Sequence, residues 1–528
     1  MRDLFSPGRS PVLAPNAAIA TSHPLATSAG LAVLRENGNA VDAALAAVAV
    51  QCVVEPHMTG IGGDCFVLYA PAGGEVIALN GSGRAPAAAT VETLKALGLT
   101  EIPQDSAHAV TVPGAISAWM KLHADHGSLP LDRLFRDAIA YAENGYPITQ
   151  RVAYDWATAA PLLARDEGSS AGLLIDGRAP QAGERHAQPE LGQRLREIAR
   201  DGAAAFYTGG VAESIVKRLN ALGGLHTVED FAAGLSGADY VTPIHGHYRG
   251  YDVYECPPNG QGVVALMILN ILAGFDLGPD VPLAERIHLH AEATKLAYHH
   301  RDHLIGDVDH LPHPVETLLE DATTMSLRAR VSRTKAQPPT LWTEPEHKDT
   351  VYLSVVDGDG NAISFINSLF HAFGSTRMDA ATGVLLHSRG ASFRLIEGHP
   401  NAIRPNKRPM HTIIPGMLRK DGETVAAFGV MGGHYQAAGQ AAFVSGVIDR
   451  GLDVQGAIDA PRAFSFDGTL SVEPTVDEAT REALSALGHV VSVAESPIGG
   501  AQAIWIDRDT GLLIAGSDAR KDGAALGF

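Results

Sequence analysis

An α/β fold, with helices layered on sheets, is predicted by three features of this 528-residue sequence. Apolar runs of strand length alternate with stretches of helical period along the chain. Two short β-branched runs, Asp349 to Asp357 and Ala362 to Ser368, flank Gly358-Asp359-Gly360-Asn361, which supplies the positive-φ positions of a tight hairpin turn. Composition is even, with 45% hydrophobic and 19% charged residues, as expected of a large body with a well-buried core.

In order along the chain, a helix is expected to end at Gly38, and an Ala-rich helix capped by Asn39 or Asp42 to run toward Val50. The glycines at 60, 62 and 63 precede the strand Cys65 to Tyr69 rather than follow one, and no GxGxxG is present. They therefore suit close backbone packing better than a phosphate loop. A strand from Val76 to Leu79 leads into Asn80-Gly81-Ser82-Gly83-Arg84-Ala85-Pro86. A long helical stretch is expected to open near His108 and to continue through Leu131 to Asn144, with further helices at Leu191 to Arg200 and Val211 to Leu222. The strand at Val253 ends in a turn before the helix Val263 to Leu272.

The stretch Leu283 to His303 carries His288, His290, His299, His300 and His303, but HExxH is missing. Its spacing suits a solvated helix face, and no metal or other cofactor is expected. Farther on, a strand from Thr424 to Val430 delivers Met431-Gly432-Gly433-His434 to a helix from Tyr435 to Val447. Successive glycines at a helix start present backbone N–H groups where negative charge is favoured, so Gly432 and Gly433 are candidates for an oxyanion hole.

A net charge of −19 argues against a nucleic-acid surface or an anionic membrane as partner. No apolar run approaches the roughly 20 residues of a membrane span, and Met1 to Gly8 lacks the apolar core of a secretion signal, so a cytoplasmic location is expected. Cys52, Cys65 and Cys256 are odd in number and widely spaced, which favours buried reduced thiols.

The hairpin begins with a threonine after the Pro-rich stretch Gln337 to Lys348. Taken locally, that threonine marks only the end of a loop. Were the Asp349-Thr350 bond cut, however, Thr350 would carry a nucleophilic Oγ and a free α-amine of pKa about 7.7 to 8.0, both halves of a nucleophile-base pair.

Thr350 with Ser-Val-Val-Asp, the Asp-Gly-Asn turn, Phe373-Gly374, Pro409-Met410 and Gly432-Gly433 together resemble the small subunit of the γ-glutamyltranspeptidase family. The resemblance extends to Gly38 to Ala44, Glu55-Pro56-His57, Val112-Pro113-Gly114, Ala291 to Tyr298 and Ser517 to Arg520, and so covers nearly the whole chain. It implies a four-layer αββα sandwich of the N-terminal-nucleophile hydrolase type. It also implies self-cleavage into a large subunit, residues 1–349, and a small subunit, residues 350–528, interleaved in one body. Further pairing of such heterodimers stays open. Ser368 stands where the family has a second threonine and would hydrogen-bond the α-amine.

The family's specificity pattern is altered. Phe370, Ser392 and the pair His411-Thr412 replace an asparagine, an aspartate and a serine pair, and Ser82 replaces an arginine that holds the substrate carboxylate, with Arg84 two residues later. Losing the acidic and amide groups removes the site for an ammonium. The expected substrate is a small amide whose carboxylate meets Arg84, Arg389 or His411. The pattern is similar to the branch that hydrolyses oxamate to oxalate and ammonia in purine-derived nitrogen catabolism. A γ-glutamyl hydrolase or transpeptidase, a glutaryl-type acylase and an uncleaved binding homologue are the alternatives.

Overall fold

The computed structural model describes residues 8–338 and 349–528, with the side chain of Asp349 excepted. Most of the Pro-rich stretch before Thr350 lies outside them.

Two seven-stranded antiparallel sheets face each other. The first has the spatial order Ala524–Gly527, Ala18–Thr21, Asp349–Val356, Ala362–Phe370, Asp64–Ala70, Ile77–Gly81, Asp239–Val241. The second runs Val12–Ala14, Leu513–Ser517, Gly500–Ile506, Glu423–Met431, Gly416–Lys420, Tyr251–Glu255, Ile244–Tyr248. Segments on either side of residue 350 supply strands to both sheets.

Three apolar clusters define the layers. One, including Met58, Phe66, Val351, Ile366, Met417 and Met431, fills the space between the sheets. A second joins the outer face of the hairpin sheet to the helices Pro24–Arg35, Ala40–Val54, Ala115–His126 and Leu131–Asn144. The third joins the other sheet to the helices Gly262–Leu272, Leu283–Leu304 and Tyr435–Ile448. The result is the αββα sandwich.

The helix Ala40–Val54 is buried along its whole length, which its alanines permit by letting it lie close to the hairpin strands. Both capping candidates act together: Asn39 accepts from the Asp42 N–H at 3.0 Å, and Asp42 accepts from the Asn39 N–H at 3.1 Å, a capping box. The hairpin turn adds a further tie. Asp357 accepts the N–H groups of Asp359 and Asn361 at 3.1 and 2.9 Å with one oxygen, and that of Ala40 at 2.8 Å with the other.

Two expectations are corrected. Val110 to Pro113 lies outside any helix, and the helix starts only at Ala115, because Pro113 lacks an N–H and the N-cap Gly114 donates its N–H to Gly63 O at 3.0 Å rather than to a helical turn. The histidine-rich helix Leu283–Leu304 presents a solvated face only in part: His299 and His303 are exposed, whereas His288 is fully buried. All three cysteines are buried free thiols. Among the described residues no helix is long and apolar enough to cross a membrane.

Because one carboxylate closes the turn and satisfies the first turn of a buried helix, Asp357→Ala is expected to cost about 2–3 kcal/mol, read as a shift of the urea midpoint at unchanged slope. Several buried histidines also set a pH dependence. Burial pushes His23, His186 and His226 down to about 4, so they are neutral in the fold while the unfolded chain titrates near 6.5. Their contribution is complete above pH 6.5 and is lost as pH falls toward 4, at up to about 1.4 kcal/mol per pH unit for each. Urea midpoints measured from pH 7 to 4.5 should fall steadily, and a flat profile would contradict the assignment.

Candidate active site

Thr350 sits at the start of the hairpin, where a bulge between Asp349 and Val351 interrupts the pairing with the second strand. Released from that register, its hydroxyl meets the Ser368 hydroxyl at 3.2 Å. Ser368 Oγ also accepts the N–H of Phe370 at 2.9 Å. Gly63 is what lets this end of the hairpin close down, since a Cβ there would stand 2.4 Å from Ser368 O.

Phe370 has φ of +82°, a left-handed conformation unfavourable for an aromatic residue. Its ring carries the buried Arg389 guanidinium, 3.8 Å from the ring centroid. Arg389 Nη1 donates to Thr412 Oγ1 at 3.3 Å. Two residues on, the Ile414 N–H donates to Gln436 Oε1 at 3.1 Å, and Gln436 Nε2 donates back to Thr350 Oγ1 at 3.2 Å. Thr350, Ser368, Phe370, Arg389, Thr412, Ile414 and Gln436 thus form a closed circuit.

Gln436 stands in the first turn of the helix Tyr435–Ile448, so the circuit includes the Gly432-Gly433 junction. These glycines have φ of +121° and +57°, and a Cβ on Gly432 would meet Gly499 Cα at 2.8 Å. Their carbonyls accept from Tyr435 N at 3.0 Å and Gln436 N at 3.2 Å, and among the described residues their own N–H groups have no acceptor. That is the arrangement an incoming oxyanion needs. Behind the junction, Gln261 Nε2 donates to Thr412 O at 2.8 Å and to Gly433 O at 3.3 Å. Its Oε1 accepts from Arg301 Nη1 at 3.0 Å, which also donates to His434 Nδ1 at 2.8 Å. Tyr298 OH donates to His434 O. The helix Leu283–Leu304 thereby pins the junction from outside.

Beneath the circuit lies Asp64, fully buried. Its Oδ1 accepts from Gly83 N at 2.9 Å and Gly114 N at 3.1 Å. Its Oδ2 lies 3.1 Å from His411 Nε2 and 3.3 Å from His387 Nδ1. Burial alone would raise the Asp64 carboxyl, but the His387 and His411 imidazoles outweigh it and hold the group well below the usual carboxylate range. His411 is pushed down to about 3 by burial and by Arg389, as is His371, whose Nδ1 is 2.8 Å from Ser388 Oγ. Both imidazoles are therefore neutral at pH 7, and Arg389 supplies the positive charge nearest Thr350 in the circuit.

The remaining predicted residues lie differently. Ser392 Oγ donates to Met410 O at 2.9 Å and so ties two loops together. Arg84 is partly exposed; it donates to Asn406 O at 3.1 Å and lies 3.7 Å from Asp239, and among the described residues no hydrogen bond or ion pair links it to the circuit. Gln436, Asp64 and Gln261 were missed by sequence reasoning. The only signals were an amide three residues after Gly-Gly, an aspartate after Gly62-Gly63, and an amide at the start of a helix.

One group of potential metal ligands, His288, Glu292 and His489, occurs among the described residues. Its atoms are already engaged. His288 Nε2 donates to Ser332 O at 2.7 Å and Nδ1 lies 2.8 Å from His489 Nε2, while Lys295 Nζ donates to Glu292 Oε1 at 2.7 Å. With an ammonium already on its carboxylate, the cluster suits a hydrogen-bond network better than a cation.

The profile of the Gamma-glutamyltranspeptidase family matches residues 26–528. The chain is 36% identical over 521 residues to the Oxamate amidohydrolase proenzyme of Klebsiella pneumoniae, covering 96% of this chain and 97% of that one. It is 36% identical over 523 residues to the Glutathione hydrolase-like YwrD proenzyme of Bacillus subtilis, covering 97% and 98%. The crystal structure of cephalosporin acylase from Bacillus halodurans superposes with a TM-score of 0.94 at 38% identity, covering 100% and 98%.

Asp64→Asn removes the anion that holds His387, His411 and two backbone N–H groups. It should lower stability by about 2–4 kcal/mol in urea unfolding, and an unchanged midpoint would show that charge is not what anchors this floor.

Proposed function

The chain belongs to the gamma-glutamyltranspeptidase family, and from that premise we propose that it is a self-processing threonine amidohydrolase acting on a small amide that carries a carboxylate, with oxamate as the substrate. The observation that carries this reading is the buried Arg389 guanidinium, linked to the Thr350 hydroxyl through Phe370 and Ser368 on one side and Thr412 and Gln436 on the other. A guanidinium at such a site forks onto a carboxylate, and the neutral histidines beside it offer no anion to hold an ammonium.

In processing, Thr350 Oγ attacks the Asp349 carbonyl carbon, the C–N bond breaks and an ester forms. Water then hydrolyses the ester, leaving residues 1–349 with a new carboxylate and residues 350–528 with a free α-amine on Thr350. In turnover that amine takes the Oγ proton as Oγ attacks the oxamate amide carbon. The N–H groups of Gly432 and Gly433 receive the oxyanion. Ammonia departs with the proton returned by the amine, and water releases oxalate from the Thr350 ester. Gln436 and Ser368 orient Oγ, Arg389 binds the carboxylate with Thr412 and His411 around it, and Phe370 fills the space a longer side chain would need. Buried thiols at Cys52, Cys65 and Cys256 support a reducing, cytoplasmic setting.

The likeness to cephalosporin acylase favours a second reading, an acylase for a glutaryl-type side chain, by the same chemistry. Ammonia release from oxamate, measured beside hydrolysis of γ-glutamyl and glutaryl p-nitroanilides, separates the two; turnover of an anilide alone would overturn the first. Arg389→Gln should lower kcat/KM for oxamate about a hundredfold, mainly through KM. Intact-mass measurement should find two fragments meeting at Asp349 and Thr350, and a single chain in Thr350→Ala.

A further inference from the structure

On the outer side of the helix Tyr435–Ile448, away from Gln436, a cavity of about 90 Å³ opens between that helix, the helix Leu283–Leu304 and the strands Ala463–Phe466 and Thr469–Val472 of a small three-stranded sheet. At about 10–15 Å³ for each water-sized group, it holds roughly six to nine such groups. Small residues on the helix face, Ala438, Gly439, Ala442 and Gly446, leave the space. Ile287, Val430, Phe443 and Leu470 give it an apolar floor.

The polar part of the lining is cationic. Arg286 and Arg450 both line the cavity; burial lowers the tendency of each to hold its charge, Arg450 lowers that of Arg286 further, and among the described residues no carboxylate pairs with either. Arg286 is partly occupied, donating to Val281 O and to Gly278 O at 3.4 Å. Arg450 has no hydrogen-bond or ion-pair partner among the described residues. The side chains of His290, Ser445 and Ser465 also face the cavity without a hydrogen-bond partner there, and Ser445 and Ser465 are only 3% and 7% exposed. Two guanidinium groups drawn together without an anion lose hydration and repel each other, a cost that a bound anion would offset.

We propose that this cavity binds a short organic carboxylate, its oxygens on Arg450 and Arg286 with Ser445 and Ser465 beside them, and its hydrocarbon end against Phe443 and Leu470. The apolar floor is what distinguishes such an acid from an inorganic anion. This site is separate from Arg389 and stands whether or not oxamate proves to be the substrate.

The test uses calorimetric titration of the full chain with butyrate. In the Arg389→Gln chain, where the active-site cation is gone, butyrate should still bind at one site per chain. Adding Arg450→Gln should weaken that binding at least about tenfold, the loss of one charge-assisted contact, with the thermal midpoint reporting that the variant remains folded. Arg286→Gln serves as the second variant with the same expectation. Absence of saturable binding at millimolar butyrate, unchanged affinity in both arginine variants, or equal binding of inorganic phosphate at the same site would overturn the proposal.

Discussion

The site depends first on one contact across the hairpin, the Thr350 and Ser368 hydroxyls at 3.2 Å. Regular pairing would place the two residues in a backbone ladder, with side chains directed by the pleat. The bulge after Asp349 suspends that rule for a single residue, and the missing side chain of Gly63 lets the neighbouring strand support the other end of the contact. The surrounding layers keep this pair rigid. The hairpin is the third and fourth strand of its sheet, with helix on one face and a second sheet on the other. Both Thr350 and Ser368 are buried there.

Rigidity of that kind requires burying polar groups, and the protein does so by pairing charge with neutral partners. Asp64 remains an anion because imidazoles and backbone N–H groups surround it, and Arg389 remains a cation on the face of Phe370. Between them stands His411, kept neutral, so a cationic wall and an anionic floor coexist without joining in a direct salt bridge. The interposed imidazole keeps the two charges apart while still satisfying the carboxylate beneath.

Much of this was legible in sequence wherever a local rule was decisive. The Asp-Gly-Asp-Gly-Asn turn announced the hairpin through its φ requirements, Asn39 and Asp42 announced a capped helix, and Gly432-Gly433 announced a backbone opening at a helix start. Other features depend on residues far apart in the chain. Gln436 reaches a hydroxyl 86 positions away, and Asp64 meets a histidine 347 positions away. Nothing in their neighbours hints at either contact. The same limit explains the two corrections. Val110 to Gly114 has helical composition on both sides, yet its Val112 N–H goes to Arg84 O and its Gly114 N–H to Gly63 O and Asp64. His288 lies in a polar run, yet His489 and Ser332 close over it. Arg84 illustrates the converse: its position two residues after the place of the family's carboxylate-binding arginine suggested a role, and its guanidinium lies toward Asp239 and Asn406.

The two-sheet architecture also bears on how a chain of this kind tolerates a break at residue 350. Strands from before and after that point pair with each other in both sheets: Ala18–Thr21 beside Asp349–Val356, Ala362–Phe370 beside Asp64–Ala70, Gly416–Lys420 beside Tyr251–Glu255. Parting the two segments would therefore open ladders in each sheet and expose the apolar layer between them, in which Val351, Ile366 and Met431 meet Met58, Phe66 and Cys256. At about 25 cal/mol per Å² of apolar surface, that exposure outweighs the entropy two chain ends gain by separating. A cut at the first residue of a strand also removes no ladder bond from the middle of a sheet. A break there would thus leave both sheets closed, at the same point where the Ser368 and Gln436 side chains converge on Thr350.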